Sequence, residues 1–379
     1  MLVHTAHPAP NPVSSIAKQV LFPLEICIFF ERRAENWIAP LALDPAYLHA
    51  KIFTSMYYFD VVLHRKSSLA SQRTLRHHLK TLKLLRGRFL YGDDEVRLSN
   101  NTVSAVLGLA GHAFWTGDSK SATHHLEGLC KIVGLRGGVT TFRDNAKLLV
   151  EIFRCDLGMA LSSGSKPIFF NHSSSFPPYL DLTLLLDLRN PGPQYNGAAK
   201  FFNDDEIDSE LARVWRRMSD FCSVINFAVD SRQRITVETF LDTMASVMYR
   251  LLDMRFDSCS IDEAIRLGVL CFSCNVFLHW TQLGISYPFL TSAFRNCLAR
   301  LTTTSSHISP RLVLWLLMAG AVAVFDSSDY EWLKPLLLAN IGLCKIDSWS
   351  QMHDLLRSFM WIGLVHDKPG KGAFDLAVG

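Results

Sequence analysis

Residues 261–280 read IDEAIRLGVLCFSCNVFLHW. Ala264, Ile265, Leu267, Val269, Leu270, Phe272, Val276, Phe277 and Leu278 reach round nearly every side of a helical wheel, which predicts a central helix covered by neighbours. Ser260, three residues ahead of Glu263, gives it a capping-box start. Working outward, Val237, Phe240, Leu241, Met244, Val247, Met248, Leu251 and Leu252 follow the three-and-four spacing of one helix face, with Thr236 before them as N-cap. Upstream, Leu148, Leu149, Ile152, Phe153 and Leu157 mark a third helix over 145–161. Downstream, Leu312–Phe325 is an unbroken apolar run of fourteen residues closed by Asp326. A bilayer span needs about 20 residues, so this run predicts a buried core helix. Turns at Asp44-Pro45, Gly117-Asp118, Gly137-Gly138 and Ser309-Pro310 pair the helices, and period-two strands are hard to find.

The fold class that follows is all-α, an irregular array of helical hairpins in two halves joined by a long loop-rich excursion. Residues 1–20 are rich in Pro, Ser and Ala and predict a disordered N-terminus. The N-terminal helical half covers about 21–165, the excursion about 166–203 and the C-terminal half about 204–365, leaving 366–379 as a tail. Composition agrees with a folded body: of 379 residues, 49% are hydrophobic and 19% charged, with mean hydropathy +0.16. That is too apolar for a disordered chain. A net charge of +3 supplies little attraction for phosphate, which argues against this chain gripping nucleic acid unaided. The nine cysteines are scattered through apolar runs, as in a reducing compartment, and no secretory or mitochondrial leader is visible at the N-terminus.

A search for chemistry finds no GxGxxG after a strand, no GxxxxGK[ST], no HExxH and no GxSxG. The glycines of Gly134-Leu135-Arg136-Gly137-Gly138 follow a helical pattern, so they predict a helix stop, with Arg136 near the preceding carbonyls. Cys271 and Cys274 have half the spacing of a zinc site but no second pair to complete it, and core packing is the better reading. His77-His78 and His124-His125 are adjacent in sequence and point about a hundred degrees apart, so neither pair clamps one ion. Arg73, Arg76, Lys80 and Lys83 form a basic stripe on an amphipathic helix opposite Leu75, Leu79, Leu82 and Phe89. It reads as a solvated face, or as a contact for an acidic partner or DNA phosphate. Asp204, Asp205, Glu206, Asp208 and Glu210 lie near Phe201, Phe202 and Trp215 and suit the first turn of a helix, or an acidic-aromatic interaction patch.

Several strings together resemble one family. HHLEGLCKIVGLRGGV (124–139) and KLLVEIFRCDLGMALSSGSKPIF (147–169) are similar to the fungal-specific transcription factor domain. So are WIAPLALDPAYLHAKIFTSMYYF (37–59), the 261–280 stretch and RLVLWLLMAGAVAVFDSSDYEWL (311–333), giving coverage of roughly 21–365. This family is the helical regulatory region of fungal binuclear zinc-cluster regulators. The resemblance implies a non-enzymatic, nuclear regulator of transcription, suited to a pathway or a secondary-metabolism gene cluster, and working as a homodimer or with another regulator. A hydrophobic cavity between the helical halves would take a small-molecule effector. DNA contact and zinc would belong to a six-cysteine head, which the single upstream Cys27 does not supply, so no cofactor is expected in this chain. His125, Leu126, Arg136, Gly137, Gly138, Arg154 and Asp156 occupy the family's recurring positions and are expected as fasteners between helices. A headless interaction protein that pairs with a complete regulator is the alternative, followed by an α-helical enzyme or lipid-binding protein.

Overall fold

Capped helices separated by tight turns account for nearly all of the computed structural model, which describes residues 23–29, 39–62, 68–170, 175–182, 207–279, 284–304 and 308–379. The fold is all-α. First come α1 (Ala39–Leu43), α2 (Pro45–Val62) and α3 (Ser68–Tyr91), then the single turn α4 (Asp94–Arg97), α5 (Asn100–Trp115) and α6 (Ser119–Leu135). A 3-10 stretch, Val139–Asn145, leads into α7 (Ala146–Ser163). Beyond 175–182 run α8 (Ser209–Asp230), α9 (Val237–Asp253) and α10 (Ile261–Ser273). The chain continues with α11 (Pro288–Thr304), α12 (Pro310–Ala323), α13 (Tyr330–Cys344), α14 (Trp349–Phe359) and α15 (Gly363–Val378).

Local chemistry fixes the ends. Thr236 Oγ1 accepts from Thr239 N to start α9, and Ser260 Oγ accepts from Glu263 N at 3.1 Å to start α10. The reciprocal half of the capping box is replaced: the Glu263 carboxylate takes Arg266 at 2.6 and 2.7 Å, while Arg266 also donates to Leu251 O at the end of α9. Asp208 caps α8, and Glu210 in its first turn pairs with Arg213 and Arg250. Gly137 (φ 106°) and Gly138 (φ 94°) stop α6 in a conformation that a side chain disfavours.

Packing is continuous. Buried apolar residues from Leu24 to Ala377 form one connected core. α7 is its axis, touching α5, α9 and α11, and burying residues on nearly every side. In α12 every residue from Leu312 to Gly320 is buried, as that apolar run predicts.

Three expectations are corrected, and α3 turns an unexpected apolar side to solvent beside its exposed cations. The 261–280 helix ends early: a wide π turn over Cys274–Leu278 follows α10, and His279 stops it in the left-handed region at φ 58°. Within that turn the Asn275 amide donates to Val322 O, at the end of α12, at 2.8 Å. The 366–379 tail is instead most of α15, with His366, Phe374 and Ala377 buried. Residues 28–29, assigned to the N-terminal half, pair as a parallel strand with Ile235–Thr236. On α3, Leu75 (54% exposed), Leu79 (55%) and Phe89 face solvent, while Thr74, Thr81 and Leu85 are buried. Residues 1–20, the acids 204–206, Phe201, Phe202 and most of the excursion lie outside the described residues. Its described parts put Phe169 and Leu182 in the core.

α10 meets α12 at Gly268, where an added Cβ would lie 2.4 Å from Leu316 Cδ2 and 3.3 Å from the Trp315 ring. Gly268→Val is therefore expected to lower the unfolding free energy by roughly 2–3 kcal/mol through overpacking, read by urea denaturation. An unchanged midpoint would show that the helices are not held this close.

Candidate functional site

α6 and the turn after it carry five of the seven residues expected as fasteners between helices. Leu126 is buried in the core, whereas His125 is half-buried, with burial and the neighbouring His78 lowering its pKa. Arg136 does not stay with the carbonyls of its own helix. It donates to Leu98 O at 3.3 Å, Asn100 Oδ1 at 2.5 Å and Thr141 O at 3.4 Å, and its guanidinium lies 4.2 Å from the Phe142 ring centre. The left-handed Gly137 and Gly138 create the corner that allows this reach, and the arginine ties the end of α6 to the start of α5.

Arg154 and Asp156, two residues apart on α7, serve different elements. Arg154 is buried; it pairs with Glu151 at 3.2 Å and donates to Leu278 O, the last carbonyl of the π turn. A cation at that point answers the carbonyls left unsatisfied where the helix ends. Asp156, also buried, accepts from Ile168 N at 2.7 Å, Phe169 N at 3.0 Å and the Tyr249 hydroxyl at 2.9 Å. It thereby pins the chain leaving α7 against α9. Burial outweighs these three donors and pushes the carboxyl up to about 7.

A cleft of about 420 Å³ lies where the N-terminal helices meet the segment leading into α11. Tyr57, Tyr58, Phe114 and Trp115 form one wall, and Ile285, Ser286 and Pro288 the other. Gly117 (φ 81°) and Gly284 (φ 69°) turn the backbone at its rim. The Tyr57 hydroxyl donates to Trp115 O at 2.8 Å, and the two rings lie almost parallel, 6.1 Å apart. This bond fixes an aromatic wall before any ligand arrives. Behind it His112 packs edge-on against Phe53 and Tyr57 and sits 5.2 Å from His78. Burial, reinforced by His78, pushes His112 down to about 4 and keeps it neutral. Deeper still, the buried Tyr287 lies within the electrostatic reach of Arg154.

The lining is mostly aromatic and aliphatic, with phenol, hydroxyl and backbone groups as its polar features. That chemistry suits a small, largely apolar molecule with one or two hydrogen-bonding groups. The buried cysteines belong elsewhere: Cys271 and Cys274 lie in the α10 core, where desolvation raises both thiols. Among the described residues no group of three or more His, Cys, Asp or Glu is arranged to hold a metal ion, and no helix is long and apolar enough to cross a membrane. None of those seven residues lines the cleft. Tyr57, Trp115 and Pro288 were not singled out by any motif; the paired aromatics Tyr57-Tyr58 and Phe114-Trp115 were the only visible signal.

No family model, no curated protein and no solved structure matches this chain.

Asp156→Ala is expected to cost about 3 kcal/mol of stability by leaving three buried donors without an acceptor. Asp156→Asn keeps one acceptor and should cost less. Between pH 3.8 and about 7 the folded protein retains an Asp156 proton that the unfolded chain has released. The wild type should therefore lose stability relative to Asp156→Asn as pH rises through that window. Urea unfolding of both proteins across it reads the difference, and parallel pH curves would contradict the protonated state.

Proposed function

We propose that this chain is the helical regulatory body of a zinc-cluster-type fungal transcription regulator, whose activity responds to a small-molecule effector. The observation that carries the proposal is the aromatic cleft between Tyr57/Trp115 and Ile285/Pro288, set in the seam between helices of the two halves. A ligand bound there touches the ends of α2 and α5 on one side and the approach to α11 on the other. It therefore favours one packing of the two groups of helices over another, which is what an effector must do to alter a distant output. The sequence likeness over roughly 21–365 supplies the class of that output, control of transcription in the nucleus.

The remaining features fit this role. The net charge of +3 gives little grip on DNA, so DNA contact is assigned to a zinc-cluster head or to a partner regulator, with dimerisation supplying the second half-site. The buried polar contacts of Arg154 and Asp156 are structural in this reading: they hold α7 rigid so that a shift at the cleft is transmitted and not absorbed.

Tethering tests it. The chain fused to a heterologous DNA-binding domain is expected to change reporter expression relative to that domain alone, and Trp115→Ala to alter the response without loss of the folded protein. Reporter output equal to that of the bare DNA-binding domain, for wild type and variant alike, would defeat the proposal. The chain by itself is expected to give no sequence-specific shift of duplex DNA at physiological salt.

A further inference from the structure

α3 is inside out. Its buried face is largely polar, with Thr74 and Thr81 inside, His77 Nδ1 2.8 Å from His49 Nδ1, and Arg88 bound to Asp44 at 2.7 Å and Thr102 at 2.8 Å. Leu85 is the fully buried apolar residue of this face. Its outer side carries Leu75, Leu79, Phe89 and Leu90, all exposed, with the half-buried Leu82 between them. The positions 75, 79, 82, 86 and 89 alternate steps of four and three, so they form a single straight row, broken by Arg86. At about 100° per residue, Arg76 and Lys83 fall roughly a quarter turn round the helix from that row, and Arg73 and Lys80 lie further round towards its opposite side. These four cations and Arg86 are exposed, none makes an ion pair among the described residues, and α3 contains no acid at all.

We propose that this outer face of α3 docks an acidic amphipathic helix of another protein, laid along it for about four turns. Leucine-type side chains at three-and-four spacing would cover Leu75, Leu79, Leu82 and Phe89, and a flanking row of carboxylates would meet Arg86 within the row and Arg76 and Lys83 at its side. A second copy of this chain is a poor occupant, because it would bring one cationic row against another. An anionic bilayer is also a poor occupant. The apolar row is one residue wide, and the exposed Asp93, Asp94 and Glu95 follow directly at the end of α3, where they would repel such a surface. The same acids favour a partner helix whose end at that point is not acidic. The proposal stands whether or not the chain regulates transcription.

The test uses the full chain and a labelled synthetic helix with leucines at three-and-four spacing flanked by glutamates. Its counterpart carries lysines in place of the glutamates. Fluorescence anisotropy should show the acidic peptide binding and weakening as salt rises, with the lysine peptide unbound. Leu75→Glu/Leu79→Glu and, separately, Arg76→Glu/Lys83→Glu should each weaken the acidic peptide by at least about tenfold. All four positions are exposed, so circular dichroism should be unchanged. The charge-reversed variant should gain binding to the lysine peptide. Equal binding of both peptides, or indifference to the leucine substitutions, would overturn the proposal. So would phosphatidylserine-vesicle sedimentation, or self-association, that Leu75→Glu/Leu79→Glu abolishes.

Discussion

The structure turns on α7, a helix that carries an arginine and a carboxylic acid, Arg154 and Asp156, into the core. Burying an arginine and an aspartate two residues apart is tolerable only if separate elements satisfy them. The π turn offers Arg154 the Leu278 carbonyl, and the strand of chain at 168–169 together with Tyr249 offers Asp156 three donors. Each partner comes from a different stretch of chain, so α10, the exit from α7 and α9 are all placed relative to one helix. The apolar contacts around α7 supply most of the binding energy, but they are non-directional. The hydrogen bonds of these two side chains give the direction.

Helix existence and helix ends were legible in the sequence because they depend on residues within one turn. Thr236, Ser260, Asp208 and the pair Gly137-Gly138 each act on backbone groups two to four positions away. The apolar run 312–325 was equally plain, since burial follows from composition alone. What the sequence hid depends on distant partners. In the π turn after α10 the Asn275 amide finds its acceptor at Val322 O, 47 positions along the chain. The Glu263 side chain was free, by spacing, to close the capping box, yet a buried Arg266 on the next turn is the stronger partner for a carboxylate.

The candidate site shows the same limit more sharply. Asp156 was recognisable as a charge that required partners, and all three stand 12 to 93 positions away. The cleft joins residues 57–58 and 114–117 to residues 284–288, and no motif links them. Spacing also misread α3. Periodicity reports that a helix has an apolar side, and the usual assumption turns that side inward. Here Arg88 prevents it: its bonds to Asp44 and Thr102, with Leu85 beside it, fix the rotation of α3 and leave the leucines outside.

That rotation has an energetic meaning. Four large apolar side chains left in water forgo roughly 1.5–3 kcal/mol each if fully covered, and a helix with a polar buried side has little to offset the loss. A rotation of about a hundred degrees would bury the leucines and expose Thr74 and Thr81, which water satisfies readily. It would also strand Asp44, whose carboxylate caps α2 through Ala46 N and Tyr47 N; partial burial raises its pKa, and the bond to Arg88 with these caps outweighs that and lowers it. The salt bridge therefore sets the face that α3 presents, at the expense of the burial that hydrophobicity alone would choose. An outward leucine row maintained by an inward ion pair is a surface constrained to stay available, and the uniform sign of the charges beside it selects what can cover it.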